Sequence, residues 1–271
     1  MTAPGVLRRC AGAIRNADGL LVTAGAGMGV DSGLPDFRGT QGFWRAYPAL
    51  GRARIAFESV ASPAAFEADA RLAWGFYGHR LALYRRVEPH PGFTILKQIG
   101  EAMPGGVFVF TSNVDGQFGK AGYSEARVCE IHGSIHHLQC MRSCTDHIWS
   151  AADFTPEVDE ETCLLSSALP ACPHCGGLAR PNILMFGDWG WIESRQQAQY
   201  AALHAWLRTL VRPVIVEIGA GTAIPSVRHF GEAARGVLIR INPTEPRVPN
   251  GRGYGLRLGG LEGIRRLRDA L

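Results

Sequence analysis

The sequence predicts an α/β fold, a doubly wound parallel sheet with a smaller inserted domain. Residues 20–24, Val107–Thr111, Pro213–Ile218 and Val237–Ile241 are short apolar runs, as buried parallel strands are. Small or polar residues follow each run, and open α/β sheets bind ligands outside the carboxyl ends of their strands. A hydrophilic, cysteine-rich segment over 140–175 interrupts the series and indicates an inserted module.

Helices are predicted between these strands. Residues 5–17 place apolar side chains at helical spacing ahead of the first strand. The pattern over 42–86 is also helical, and Ser62-Pro63 supplies a capping residue and an N1 proline for a helix over 64–86. A further helix is expected over 91–103, before a Pro-Gly-Gly break.

Length and composition indicate a water-soluble globular protein with a sizeable core. The chain has 271 residues, of which 46% are hydrophobic, enough for one large domain or a domain with an insertion. Its net charge of +4 is too small and too scattered to predict a nucleic-acid or membrane partner. No signal peptide or spanning segment is evident near the N-terminus, so we expect a cytoplasmic protein.

The turn after the first predicted strand is the best candidate for binding a phosphate. Gly25-Ala26-Gly27 lets the backbone bend and approach a ligand closely, and the following N–H groups, from Met28 onward, favour an anion. Alone, this turn is equally consistent with a structural strand-to-helix connection. The segment over 35–39 then places an acid, an aromatic ring and a cation in a loop, where core packing does not require them.

Four of the seven cysteines form two close pairs. Cys140 with Cys144 and Cys172 with Cys175 can present four thiolates to one ion, which is the donor set of a closed structural zinc site. Cys163, His147 and His174 are alternative ligands, and small buried hydrophobic side chains are the alternative to metal binding. A closed site of this kind holds the fold and performs no chemistry.

Taken together, five motifs resemble those of bacterial-type sirtuins, which are NAD-dependent protein deacylases. The resemblance runs from about residue 19 to 245. The matching motifs are Gly-Ala-Gly through Pro-Asp-Phe-Arg over 25–38, Thr-Ser-Asn-Val-Asp over 111–115, His-Gly-Ser over 132–134, Phe-Gly-Asp over 186–188 and Ile-Asn over 241–242.

This resemblance implies how the chain is divided. A Rossmann-like NAD-binding domain is expected over 1–40, 105–137 and 178–271. A helical insertion over 41–104 and a zinc-binding module over 138–177 are expected to form the small domain, with zinc and NAD as the cofactors.

The resemblance also implies a reaction that consumes NAD. The acyl-lysine oxygen attacks C1′ of the nicotinamide ribose, nicotinamide leaves, and lysine and O-acyl-ADP-ribose are the final products. His132 is the predicted general base, because a neutral imidazole titrates near the working pH. We expect Ile131 to close a short strand and residues 133–134 to turn away, so that His132 faces the cleft, with His136 and His137 on the module surface.

Other roles follow from the same motifs. Asn113 and Asp115 are expected beside the nicotinamide ribose, although both types are also common in Asx turns. Phe37 would shield C1′ from water within a mobile loop. The implied cofactor-binding residues are Gly25, Ala26, Gly27, Met28, Asp36, Phe37, Arg38, Ser112, Asn113, Asp115, Gly219, Gly221, Thr222 and Asn242, of which Asn242 would hold the adenosine ribose.

The chain departs from the family pattern at four places. Gly29 replaces a serine, and Ser112 replaces the glutamine that lines the nicotinamide-ribose pocket. Residues 219–222 stand in for Gly-Thr-Ser, and 189–191 read Trp-Gly-Trp where Leu-Pro is usual.

Two sets of residues are candidates for substrate binding. Tyr77 and Arg80 are three apart on a predicted helix and resemble the Tyr-x-x-Arg pair of desuccinylase/demalonylase-like sirtuins, which receives an acyl carboxylate. Surface placement is the alternative for such residues. Ile183, Leu184, Phe186 and Gly187 would offer backbone groups to an extended acylated protein or peptide.

Two other functions remain open at this point. An NAD glycohydrolase or mono-ADP-ribosyltransferase would use the same cofactor with a different acceptor. A non-catalytic NAD-binding protein is the other alternative, and the presence of His132, Asn113 and Asp115 together argues against it.

Overall fold

The computed structural model describes residues 4–35, 39–249 and 251–271, so the predicted roles of Asp36, Phe37 and Arg38 concern positions outside the described residues. The helices are α1 (Pro4–Arg15), α2 (Gly39–Ala46), α3 (Pro48–Arg52), α4 (Phe57–Val60), α5 (Pro63–Ala68), α6 (Ala70–Arg86), α7 (Pro91–Glu101), α8 (Gln117–Lys120), α9 (Ser194–Thr209), α10 (Ser226–Ala233) and α11 (Gly260–Asp269). The strands are β1 (Gly19–Ala24), β2 (Val107–Thr111), β3 (Val128–Glu130), β4 (Gly133–Cys140), β5 (Trp149–Ser150), β6 (Val158–Asp159), β7 (Leu164–Leu165), β8 (Ala179–Ile183), β9 (Pro213–Ile218), β10 (Val237–Ile241) and β11 (Gly253–Leu256).

Six of these strands form one parallel sheet, in the order β11-β10-β9-β1-β2-β3. The first strand, β1, therefore lies in the middle of the sheet. Strands β2 and β3 follow on one side of it, and β9, β10 and β11 on the other. This is the strand order of a doubly wound dinucleotide-binding sheet, so the predicted fold class is confirmed. The order reverses between β1 and β9, where Ala24 pairs with Ile218 at the last register position.

Helices cover both faces of this sheet because the side chains of its strands alternate. Leu20 and Val22 point into one apolar layer, with α1, α7 and α11. Leu21 points into the opposite layer, with α9 and α10. β1 is buried along its whole length, which explains its continuous apolar sequence.

A second structural unit packs around a different apolar cluster. It consists of α2 through α6 and a three-stranded antiparallel sheet in the order β5-β4-β8. β4 and β8 pair from Gly133 with Ile183 to Cys140 with Ala179, with a register shift between. The predicted boundary between residues 137 and 138 falls within β4, and the division into domains stays a prediction.

Two local expectations need correction. The helix expected over 64–86 is two helices, because the carboxylate of Asp69 accepts hydrogen bonds from the N–H groups of Arg71 and Leu72 and starts α6 afresh. Residues 133–134 do not turn away from a strand but begin β4.

The strand β11 was not anticipated, since its Gly-Tyr-Gly-Leu sequence lacks an apolar run. Within the described ranges, no helix combines the length and the apolar character needed to cross a bilayer.

Candidate active site

A cavity of about 710 Å³ opens at the carboxyl ends of the central strands, beside the point where the strand order reverses. Pockets of this volume accommodate small ligands and cofactors. The predicted site residues that line it are Gly25, Ala26, Tyr77, Arg80, Ser112, Asn113, Asp115, His132, Ile183, Leu184, Phe186, Gly219 and Gly221. Gly27, Met28, Gly187, Thr222 and Asn242 are not among the lining residues.

The glycine turns after β1 and β9 pack directly on each other. A Cβ on Gly25 would lie 2.8 Å from the Cα of Ala220, and one on Gly219 would lie 2.4 Å from the backbone of Gly27. Gly219 also has a φ of +60°, and its carbonyl accepts a hydrogen bond from the N–H of Gly27 at 3.1 Å. These glycines are therefore required by the contact between the two turns, in addition to any ligand they approach.

The residues that follow the first turn are well packed. Met28 is fully buried in the core, and Ala26 is exposed at the cavity. A Cβ on Gly29 would lie 3.0 Å from Cδ1 of Leu34, so a serine at this position requires the leucine to shift by a few tenths of an ångström. The departure at Gly29 therefore lies in a tightly packed part of the turn.

The end of β2 is tied to the first turn. The hydroxyl of Thr111 donates to the carbonyl of Ala24 at 2.9 Å, and the N–H of Asn113 donates to the Thr111 hydroxyl at 3.0 Å. The side-chain amide of Asn113 donates to the carbonyl of Gly25 at 3.1 Å. This geometry fixes the side chain of Asn113 to the first glycine turn, at the lining of the cavity.

His132 lies between β3 and β4, half-buried at the cavity. Burial lowers its pKa, although a hydrogen bond with the backbone of Ser112 acts in the opposite direction. The imidazole is therefore neutral at pH 7 and can accept a proton. The backbone carbonyl of His132 accepts a hydrogen bond from the N–H of Leu184 at 2.9 Å, which joins His132 to the segment after β8.

Gly133 is the residue that makes this placement possible. It has a φ of +78°, and a Cβ there would lie 2.1 Å from the carbonyl oxygen of Asn182 on β8. The expectation that His136 and His137 lie on the surface is wrong, because both are half-buried on β4. His136 Nε2 contacts the carbonyl of Asp115 at 2.9 Å.

Asp115 lines the cavity and also forms the turn that was its alternative role. Its Oδ1 accepts a hydrogen bond from the N–H of Gln117 at 2.9 Å. Burial raises the pKa of Asp115 to about 6, while that N–H and the positive charge of Arg80 act in the opposite direction. Asp115 therefore titrates close to neutral pH.

Tyr77 and Arg80 lie on one face of α6 and both line the cavity, rather than the protein surface. Arg80 is 8% exposed and Tyr77 1% exposed. Nε and Nη2 of Arg80 donate to the hydroxyl oxygen of Tyr84 at 3.0 and 2.8 Å. The guanidinium also lies 5.2 Å from the ring centroid of Phe76, so aromatic groups fix its position.

The segment after β8 forms another wall of the cavity. The N–H groups of Leu184, Met185 and Phe186 donate within the chain, to His132, Asp188 and Ala61. Its carbonyl groups are therefore what this segment can offer to a ligand backbone. Phe186 and Leu184 are 40% and 39% exposed, and the exposed Gly187 has a φ of +65°.

Asp188 carries an interaction that the sequence did not reveal. Its carboxylate forms a bidentate ion pair with Arg180, at 2.6 and 2.9 Å, and both side chains are fully buried. Asp188 also accepts from the N–H of Gly190, whose carbonyl accepts from Gln139 at 2.7 Å. This anchored loop holds Trp189 fully exposed.

On the β9 side, two predicted residues bind the protein's own loops. The amide of buried Asn242 donates to the carbonyl of Ala220 at 3.0 Å, and its Oδ1 accepts from the N–H of Glu245 at 2.9 Å. The hydroxyl of Thr222 donates to Glu245 at 2.8 Å. Both residues therefore link the glycine turn after β9 to the loop that contains Glu245.

The four predicted cysteine ligands form one cluster. All four sulfur atoms lie within 4.8 Å of one another, and the distances Cys140–Cys175 and Cys144–Cys172 are both 3.7 Å. A tetrahedral zinc ion with Zn–S bonds of about 2.3 Å requires sulfur atoms about 3.8 Å apart. The donor set therefore fits a structural zinc ion, and Cys163 and His147 are not part of the cluster.

Known proteins are similar to this chain in sequence and in fold. The Sir2 family model matches residues 25–205. An NAD-dependent protein deacylase of Pyrococcus furiosus is 38% identical over 60% of this chain and 59% of its own length. NAD-dependent protein deacylase 2 of Pyrobaculum aerophilum is 34% identical over 83% of this chain and 80% of its own. The crystal structure of a Sir2 homologue–NAD complex superposes with a TM-score of 0.72 at 23% identity, covering 100% of this chain and 94% of that one.

The matched region of this chain spans about three fifths of the length of the Pyrococcus relative. The family assignment does not depend on that relative alone, because the family model covers well over half of the chain and the Pyrobaculum relative aligns over most of both proteins. The resemblance read from the motifs is confirmed: this protein belongs to the Sir2 family.

Proposed function

We propose that this chain removes acyl groups from protein lysine side chains in a reaction that consumes NAD and yields nicotinamide and O-acyl-ADP-ribose. The observation that carries the proposal is the position of His132, a neutral imidazole at a cavity bounded by two glycine turns and by the segment after β8. The names of the sequence relatives, NAD-dependent protein deacylases, support the same activity.

In this proposal, each wall of the cavity has one task. NAD supplies, when bound, a ribose carbon from which nicotinamide departs. The turns after β1 and β9 hold its pyrophosphate through backbone N–H groups other than those of Gly25, Gly27 and Gly219, which donate within the chain. His132 accepts a proton from a ribose hydroxyl, and Oδ1 of Asn113 accepts a hydrogen bond beside it. Phe37 lies outside the described residues, and its predicted role of excluding water rests on the sequence motif alone.

Tyr77 and Arg80 support a preference for acidic acyl groups such as succinyl and malonyl. A guanidinium can bond both oxygens of a carboxylate, and the aromatic side chains around Arg80 fix its orientation. A phenol at Tyr77 adds a donor on the same helix face. Burial makes the pairing stronger than it is in water.

The segment over 183–187 supports binding of an extended peptide. Because Leu184 and Phe186 use their N–H groups within the chain, we expect the substrate backbone to donate to their carbonyl oxygens. Their exposed side chains flank the cavity and provide apolar contacts that depend little on sequence.

Chromatography of nicotinamide release tests the reaction class. We expect release from NAD to depend on an acylated peptide and to fall by at least about a hundredfold in His132→Ala. His204→Ala, which removes a half-buried imidazole from α9, is the matched control and should retain activity. Equal release with and without peptide would indicate an NAD glycohydrolase instead. Unchanged release in His132→Ala would reject the assigned base.

A further inference from the structure

The N-terminus of α11 forms a hydrogen bond with the segment that follows the turn after β1. Oδ2 of Asp31 accepts a hydrogen bond from the N–H of Leu261 at 2.8 Å, although the two residues are 230 positions apart. Leu261 is the second residue of α11, and the preceding Gly259 has no side chain with which to cap the helix. Asp31 therefore does for α11 what a local N-cap residue does in most helices.

The N-terminus of α7 holds the same turn from another side. The N–H of His90 donates to the hydroxyl of Ser32 at 2.9 Å. Nδ1 of His90 accepts from the N–H of Gly92 at 3.0 Å, so Nε2 carries the proton and donates to the carbonyl of Met28 at 2.9 Å. Two helices thus contact residues 28–32 through side-chain hydrogen bonds.

These contacts reach the part of the turn that faces the cavity. A Cβ on Gly260 would lie 3.4 Å from Oδ2 of Asp31 and 3.5 Å from the carbonyl oxygen of Gly27. Gly27 in turn donates to Gly219, and Gly25 and Ala26 line the cavity. A shift of Asp31 away from α11 therefore moves the backbone that meets the ligand.

From these contacts we infer that Asp31 is a positioning residue for NAD: it tethers the first glycine turn to α11 and so orders the turn backbone that meets the pyrophosphate. This inference rests on the proposed function, in which that turn binds NAD. A helix N-terminus favours a negative charge, and Asp31 supplies it from the turn rather than from the helix. Because the turn is already ordered before NAD binds, less of the binding free energy is offset by the entropy cost of ordering it.

A local cap at Gly259 separates positioning from helix stabilisation. Gly259 has extended backbone angles and an ideal Cβ there meets no atom within 4 Å, so an aspartate fits. In Asp31→Ala/Gly259→Asp, α11 regains a cap, but the turn stays without its hydrogen bond to α11. A role confined to stabilising α11 predicts recovery of both stability and NAD binding.

Calorimetric NAD titration and thermal unfolding of the full chain test the inference. We expect Asp31→Ala to weaken NAD binding about fivefold to tenfold, the effect of losing one capping hydrogen bond. The double variant should recover its melting temperature but not its affinity, and Asp31→Asn should recover most of both, because an amide oxygen also accepts from Leu261. Glu262→Gln, which removes an exposed carboxylate from the first turn of α11, should bind NAD as the wild type does.

Two results would overturn the inference: wild-type affinity in Asp31→Ala, or affinity restored in the double variant. Hydrogen exchange of the NAD-free protein supplies a readout that needs no ligand, and residues 25–33 should exchange faster in Asp31→Ala and in the double variant. Wild-type protein that binds NAD without deacylating peptides would overturn the proposed function alone. Wild-type protein that binds no NAD would overturn both.

Discussion

Arg80 and Tyr84 form a hydrogen-bonded pair in the lining of the cavity: Nε and Nη2 of the guanidinium donate to one hydroxyl oxygen, at 3.0 and 2.8 Å. Because the two residues are one helical turn apart on α6, the tyrosine sets the direction in which the guanidinium points. Under the proposed function, the acyl preference should therefore depend on both residues.

Arg80→Met should lower activity on succinyl-lysine peptides far more than on acetyl-lysine peptides, because only the acidic acyl group has a carboxylate to pair with the lost guanidinium. Tyr84→Phe should lower desuccinylation less, since it leaves the charge and removes only its hydrogen-bond partner. The ratio of kcat/KM values for the two peptides measures the effect. An equal loss on both substrates in Arg80→Met would reject the acidic-acyl assignment.

The sequence predicted the strands that carry this site and the position of His132 better than it predicted the contacts between side chains. The apolar runs of β9 and β10 have the bounds that the structure shows, because a strand buried on both faces leaves a continuous hydrophobic sequence. The motif around His132 predicted its place at the cavity. Neither inference needed tertiary information.

Other features arise only from tertiary contacts. The pairing of Asp188 with Arg180 and of Asp31 with Leu261 joins residues whose spacing follows no local rule. The packing of the glycine turns on each other also escaped sequence analysis, because Gly25 fits a phosphate-binding turn equally well. The hydrogen bonds of Asn242 and Thr222 to neighbouring loops were also not evident from the sequence, and their contact with the cofactor stays a prediction.

Because the two glycine turns pack on each other, we expect alanine substitutions at Gly25 and at Gly221 to have different effects on the free energy of unfolding. Gly25→Ala places a Cβ 2.8 Å from the backbone of Ala220, so we expect a loss of about 1–3 kcal/mol in the free energy of unfolding, as overpacking gives. Gly221→Ala meets no atom within 4 Å and should unfold like the wild type. Chemical denaturation measures both. Equal stability of the two variants would contradict the packing of the turns.

The cysteine cluster predicts one tightly bound zinc ion per chain. Cys172→Ser should lose the metal and destabilise the module, because three thiolates no longer close the tetrahedron. Cys163→Ala, which removes a buried cysteine outside the cluster, should keep its zinc. Elemental analysis of the purified proteins distinguishes them. Full zinc content in Cys172→Ser would show that the cluster is not the metal site.

The raised pKa of Asp115 predicts a pH-dependent effect on stability. The pKa of Asp115 is about 6 in the folded protein against 3.8 as the ordinary value, so the folded state holds this proton more tightly than the unfolded state. The resulting stability is present below pH 3.8 and is lost as the pH rises through 6. Asp115→Asn cannot ionise and still accepts from Gln117.

We therefore expect the melting temperature of Asp115→Asn to exceed that of the wild type at pH 8 and the difference to shrink towards pH 5. Asp153→Asn, a substitution of an exposed carboxylate, should show no such trend. A difference between Asp115→Asn and the wild type that is constant with pH would contradict the assigned pKa.

Mass spectrometry of acetyl-, malonyl- and succinyl-lysine peptides incubated with NAD tests the central claim most directly. The account predicts deacylated peptide and O-acyl-ADP-ribose in equal amounts, with the acidic acyl groups processed fastest, and loss of both products in His132→Ala. Deacylated peptide without an acylated nucleotide product, or ADP-ribose formed equally with and without peptide, would contradict it.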